Sequence, residues 1–177
     1  MKVNYYNKFI DFFIEHNLYD KKVFDYIWDR CIFFNYLEDE HRKQIGVYYI
    51  FDKNKKLLDF NLIVPFIDSK KTSLINIHEY IHAIVAYYKL GKKLVLDDFC
   101  EINSLFFEKV YVLENYSDDI DKFLSKLNQE RLNSNENKYI YGLKIVDDLI
   151  QNYNKDLSLN KISNKSKKLI KKYKYLK

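Results

Sequence analysis

Residues 75–88 read INIHEYIHAIVAYY, and the fold turns on whether this run is a helix. It sits inside DSKKTSLINIHEYIHAIVAYYKLG (68–91), where Asp68 or Ser69 can cap a helix and Gly91 can close it in a left-handed conformation. On a helix, His78 and His82 are four apart and share one face, about one turn from each other. Both imidazoles can then reach one metal ion. Glu79 falls on the neighbouring edge, where it can touch a water on that ion without being a ligand. This is the H-E-x-x-H pattern, and zinc with an open position is the ion it suits. At this stage a plain helix with two buried, hydrogen-bonded histidines is still the alternative.

Upstream, apolar side chains at helical spacing (Tyr6, Phe9, Ile10, Phe13) predict a helix over about Tyr5–Leu18, and a second over about Lys21–Phe34. The period then changes. IGVYYIF (45–51), the turn DKNKK (52–56) and LLDFNLIVPFI (57–67) predict a β-hairpin. Pro65 suits an edge strand or a strand exit. Downstream, helices are expected from about Leu96 to Asn115, with Asp97 and Asp98 in the first turn. Two more follow, from Ser117 to about Leu132 and across YIYGLKIVDDLIQNY (139–153). The fold class is therefore mainly α, with one small β-hairpin before the H-E-x-x-H helix. No repeat or linker interrupts the 177 residues, which predicts a single domain over 1–177.

Composition narrows the class. Hydrophobic residues make up 47%, and only 3 Gly and 1 Pro are present, which disfavours disorder and loop-rich sandwiches. The net charge of +5 is uneven: Lys155 to the end carries nine lysines and one acid, Asp156. This lysine-rich segment (157–177) reads as a solvated helix face with Ile162, Leu169, Ile170, Tyr173 and Leu176 as its apolar stripe. No groove-binding motif argues for nucleic acid. Cys31 and Cys100 do not make a disulfide framework and read as buried thiols. The first residues, MKVNYYNKFIDFFIEHN, contain no signal-peptide core, and no apolar run reaches the length of a membrane span. A cytoplasmic protein without membrane attachment is expected. His16 and His41 lie in polar contexts and read as surface residues, whereas Trp28 and the remaining aromatics are assigned to the core.

Two histidines do not complete a catalytic zinc site; a third His or carboxylate is required. The residues after His82 offer neither the Gly nor the third His of a metzincin. The next predicted helix, LDDFCEINSLFFEKVY (96–111), offers Asp97, Glu101 and Glu108 along one face. The helix is otherwise so apolar that acids on it should face something polar inside.

Taken together, HEYIHAIVAYYKLG and DFCEINSLFFE resemble the zinc-site region of the thimet oligopeptidase and oligoendopeptidase F family of gluzincin metallopeptidases. That family carries H-E-x-G-H-A on one helix and approximately D-F-V-E-x-P-S-Q-x-x-E on the next. Asp98, Phe99, Glu101, Ser104 and Glu108 agree in type and order. The resemblance implies a zincin-like core in which His78, His82 and Glu101 hold one Zn2+, Glu79 is the general base, and Glu108 and Asp98 are outer carboxylates. It is similar again at KYIYGLKIVDDLIQNY, which implies that Tyr141, with Tyr139 as the second candidate, donates to the oxyanion. Ile81 and Asn103 replace the family's Gly and Pro. Gln129 stands where a histidine is expected, and no histidine follows His82. The resemblance is strongest over about 74–111 and weaker to about 153. Family members are several times longer, which implies a catalytic core with an open cleft here.

The implied activity is zinc-dependent hydrolysis of a peptide or unstructured protein segment. The edge of DFNLIVPFI could add an extended peptide as a further strand. The small size and the missing histidine motivate the alternative, a zinc-binding protein of the same fold that acts as a binding or toxin-like module without peptidase activity.

Overall fold

The computed structural model describes residues 4–36, 42–96 and 100–151, with positions 162, 164, 165, 168 and 169. Six α-helices and three β-strands occur among them, so the chain is mainly helical with a small sheet. His41, Asp97, Asp98, Phe99 and most of 157–177 lie outside the described residues. Of the C-terminal stripe, Ile162 is helical and fully buried, and Leu169 is helical and half-buried.

The described chain divides into two compact units. The first holds residues 4–14 and 19–95. It contains α1 (Tyr5–Glu15) except its last residue, α2 (Lys21–Trp28), β1 (Cys31–Phe34), β2 (Gly46–Phe51), β3 (Leu57–Pro65) and α3 (Lys70–Tyr87). The helix expected over Lys21–Phe34 is corrected here: it stops at Trp28, and CIFF forms β1. Asp20 caps α2 by accepting from the backbone of Lys22 and Val23. At the other end, the Arg30 guanidinium forks onto Asp59 at 2.6 and 3.2 Å, and the Leu62 N–H donates to the Arg30 carbonyl. These bonds turn the chain out of the helix and start β1 along β3. β1 pairs parallel with β3 from Cys31↔Leu62 to Phe34↔Pro65.

The hairpin forms as predicted: β2 pairs antiparallel with β3 from Gly46↔Ile63 to Phe51↔Leu57. The sheet order β1-β3-β2 makes β3 the central strand. Its two edges are taken by β1 and β2, so peptide addition to β3 is ruled out as first envisaged. Pro65 is the last residue of β3, at the strand's exit.

The capping box Ser69/Thr72 starts α3. Ser69 Oγ accepts from the Thr72 N–H at 3.2 Å, and Thr72 Oγ1 accepts from the Ser69 N–H at 3.0 Å. Fully buried Asn76 then donates to the Pro65 carbonyl at 2.9 Å and to the Thr72 carbonyl at 2.8 Å. The β3 exit and the first turns of α3 are thereby locked together, which fixes the phase of the helix. Buried residues occur on all sides of α3, the signature of a central helix. Tyr80 is one of them, packed edge-on to Phe9 at 5.0 Å and close to Phe13 and Phe24. Gly91 has a left-handed φ of 73°, but α3 ends earlier, at Tyr87; Gly91 instead donates its N–H to Leu57. Trp28, expected in the core, is 43% exposed and packs beside Tyr6 and Phe33.

The second unit holds 15–18 and the described residues from 96 onward. Its helices are α4 (Ile102–Glu114), α5 (Asp118–Asn133) and α6 (Asn137–Ile150). α4 packs against both α5 and α6. Gly142 of α6 faces α4 with little room to spare: a Cβ there would lie 2.8 Å from Leu105 Cδ1 and 3.9 Å from Glu101 Cβ. His16 is a correction. It is buried, 2% exposed, and its Nε2 lies 2.9 Å from Glu114 Oε2. Its short polar context misleads because that partner is 98 residues away.

Candidate metal centre

The two units contribute different chemistry, and each is built from its own residues. In the first, His78 and His82 lie on one face of α3, as their spacing requires. His78 is buried and His82 half-buried. Their Nε2 atoms are 3.2 Å apart and their ring centroids 4.9 Å apart. Two imidazoles bound at ~2.0–2.1 Å to one tetrahedral ion would hold their nitrogens about 3.3 Å apart. The observed separation therefore fits a pair of ligands. Glu79 is half-buried on the turn between them. Ile81, where the family has Gly, is fully buried and is part of the core.

Nearby, but turned to the other side of α3, the Tyr80 hydroxyl and Cys31 Sγ are 3.3 Å apart, and Cys31 Sγ also donates to the Ile27 carbonyl. Burial pushes the Cys31 thiol up to about 11, against the smaller opposing effect of the Tyr80 hydroxyl. Such a thiol is protonated at neutral pH, a structural group and not a nucleophile or thiolate ligand. Both cysteines are half-buried and neither forms a disulfide.

In the second unit, Glu101 lies one residue before α4 and is only 6% exposed. Lys138 Nζ approaches its Oε1 at 3.6 Å, and Cys100 Sγ donates to the same oxygen at 3.8 Å. Two turns along α4, Glu108 is 1% exposed and receives both Arg131 nitrogens, at 2.7 and 2.9 Å. Arg131 also donates to Asn128 at 3.0 Å. Tyr139 stands between the two ion pairs, 5.8 Å from the Arg131 guanidinium and 4.7 Å from Lys138 Nζ, measured at its ring centre. Burial, then the Glu101 charge, raise its phenol above the usual range, while the two cations oppose them. Burial would lower the Lys138 ammonium, but the Glu101 carboxylate and the groups around it raise it on balance.

The chain matches no family model, no curated protein and no solved structure. The chemistry therefore has to be read from these side chains. Glu108, expected as an outer carboxylate, is bound to Arg131; Asp98 lies outside the described residues. Tyr141 and Tyr139 are both half-buried. At 100° per residue they flank the Gly142 face of α6, about 60° and about 100° away from Lys138 in opposite directions. Gln129 is exposed and donates to Asn133 within its own helix.

Arg131, Lys138 and Gly142 were not found by sequence reasoning. The first two sit in LNSNENK and its approach, a polar stretch that reads as a solvated break. Only the apolar face of α4, with acids that needed partners, hinted at cations elsewhere.

Proposed function

We propose that this chain is a zinc-dependent peptidase in which His78, His82 and Glu101 hold the ion. The observation that carries the reading is the 3.2 Å separation of the two Nε2 atoms on one face of α3. The buried carboxylate of Glu101 supports it, and these three side chains are a donor set of the kind that holds a metal ion. The sequence likeness to the gluzincins over 74–111 supports it as well. When bound, zinc supplies a Lewis acid and brings the pKa of a water to near 7.

The remaining steps belong to the protein's own residues. Glu79 takes a proton from the attacking water on its carboxylate and passes it to the nitrogen of the leaving amine. Tyr139 or Tyr141 donates its phenolic O–H to the oxyanion that develops on the carbonyl. The substrate is an unstructured peptide or accessible protein loop.

One observation favours a second reading, a zinc-binding module without hydrolysis. The position of the family's histidine is filled by exposed Gln129, bonded to Asn133, so that part of the transition-state apparatus is missing. Zinc content and a Glu79→Gln variant separate the readings. We expect about one zinc per chain, cleavage of a mixed peptide library by the wild type, and retention of zinc without cleavage in Glu79→Gln. Less than about 0.2 zinc per chain after zinc-replete expression sinks both readings. Full zinc with no cleavage by either protein selects the second.

A further inference from the structure

We propose that Arg131 is a positioning residue that seats Tyr139 as the donor to the oxyanion; this rests on the peptidase reading above and chooses between its two tyrosines. All the residues concerned belong to the second unit. Arg131, near the end of α5, is held by three hydrogen bonds. Its terminal nitrogens fork onto Glu108 at 2.7 and 2.9 Å, and one of them also donates to Asn128 at 3.0 Å. A planar guanidinium gripped through its fork has one orientation. Glu108 is 1% exposed, so the anchor of that grip lies in the interior.

Tyr139 meets this guanidinium from the start of α6. Its ring centre is 5.8 Å from the Arg131 guanidinium and 4.7 Å from Lys138 Nζ, and Lys138 in turn reaches Glu101 Oε1 at 3.6 Å. The ring is thus a neighbour of the carboxylate proposed to hold the ion. Cations at these distances attract an aromatic face, more strongly where water is excluded. Lys138 is the nearer of the two, but its side chain is 31% exposed and rides on a flexible stem. Arg131 is 14% exposed and fixed by its fork, so it is the hold that defines where the ring sits. Tyr141 lies about 200° around α6 from Tyr139 and cannot share this seat.

A donor to a developing oxyanion is effective when it is in place before the charge appears. A half-buried phenol that swings between positions loses that advantage, and a ring braced by a fixed cation keeps it. The brace is removed without stranding a charge by the double variant Glu108→Leu/Arg131→Met. The full chain is compared as wild type, this double variant, Tyr139→Phe and all three changes combined. Two readouts are taken. One is kcat and KM for peptide cleavage with zinc. The other needs neither metal nor substrate: the ring signals of Tyr139 in the metal-free, 13C-tyrosine-labelled protein, identified by their loss in Tyr139→Phe. Far-UV circular dichroism checks folding. Arg131→Lys, which keeps a charge against Glu108 but loses the fork, replaces the double variant should that one not fold, with the same direction expected.

We expect the double variant to lower kcat about 10-fold with KM changed less than about twofold. Made on top of Tyr139→Phe, the same two changes should lower kcat no further, because Arg131 acts through that phenol. The Tyr139 ring signals should move to the positions of free tyrosine. Full kcat in the folded double variant, an equal loss with and without the Tyr139 hydroxyl, or unmoved ring signals each overturn the positioning role and leave the peptidase reading standing. A wild type that binds zinc and cleaves nothing overturns the peptidase reading and the catalytic role of Tyr139 with it.

Discussion

Glu108 and Arg131 are the residue-scale surprise of the second unit. Each removes a charge from water: Glu108 is 1% exposed and the Arg131 side chain 14%. Their geometry is bidentate, at 2.7 and 2.9 Å, which is the best case for such a pair. A buried pair of this kind need not add net stability, but breaking it leaves one buried charge without compensation. Glu108→Leu and Arg131→Met should therefore each cost about 3–5 kcal/mol. The double variant Glu108→Leu/Arg131→Met should lose far less than the two single losses added together. Urea unfolding of the four proteins gives the coupling directly. Single losses below about 1 kcal/mol would mean that water already solvates the pair. The sequence could not reveal this contact, because nothing in LNQERLNSN announces that one of its charges bonds an acid 23 residues earlier. It could reveal the acid alone, as a carboxylate stranded on an apolar helix.

At the scale of elements, what was legible followed from local periodicity. The i,i+4 spacing gave the shared face of His78 and His82. The β-branched and aromatic runs on either side of the DKNKK turn gave β2 and β3, and the cap before Lys70 gave the start of α3. What was not legible depended on partners distant in sequence. CIFF is a short apolar run that continues a helical pattern without a break; it becomes β1 because Asp59 captures Arg30 and β3 offers a free edge. The approach of α6 to α4 is another such case, and Gly142 decides it. Gly142→Ala brings two opposed effects. Alanine in a helix gains about 1 kcal/mol over glycine. Against this, its Cβ would sit 2.8 Å from a methyl of Leu105, itself 2% exposed and enclosed, and overpacking a core costs about 1–3 kcal/mol. The clash should win, giving a net loss of about 1 kcal/mol in urea. The companion change Leu105→Val, made with Gly142→Ala, should recover part of that loss. A stabilised Gly142→Ala would show that Leu105 rotates aside freely and that the glycine is not what sets the spacing.

For the whole molecule, the consequence of the zinc reading is thermodynamic. The proposed ligands are His78, His82 and Glu101. An ion that binds only the folded chain stabilises it by RT ln(1 + [L]/Kd), about 2.7 kcal/mol at a free concentration of 100 Kd. For a chain of this length each kcal/mol moves Tm by roughly 2–4 °C, so saturating zinc should raise Tm by about 5–10 °C. A strong chelator should reverse the rise. The increment should vanish on substitution of a ligand: His82→Phe and Glu101→Gln should both melt alike with zinc and with chelator, whatever their own metal-free stability. Glu79→Gln should keep the full increment, because a general base is not a ligand. Differential scanning calorimetry of these proteins with zinc and with chelator checks all three statements. An increment that survives Glu101→Gln but not His82→Phe would confine the ion to the histidine pair. The third ligand, and with it the open tetrahedral site on which water activation depends, would then have to come from another side chain.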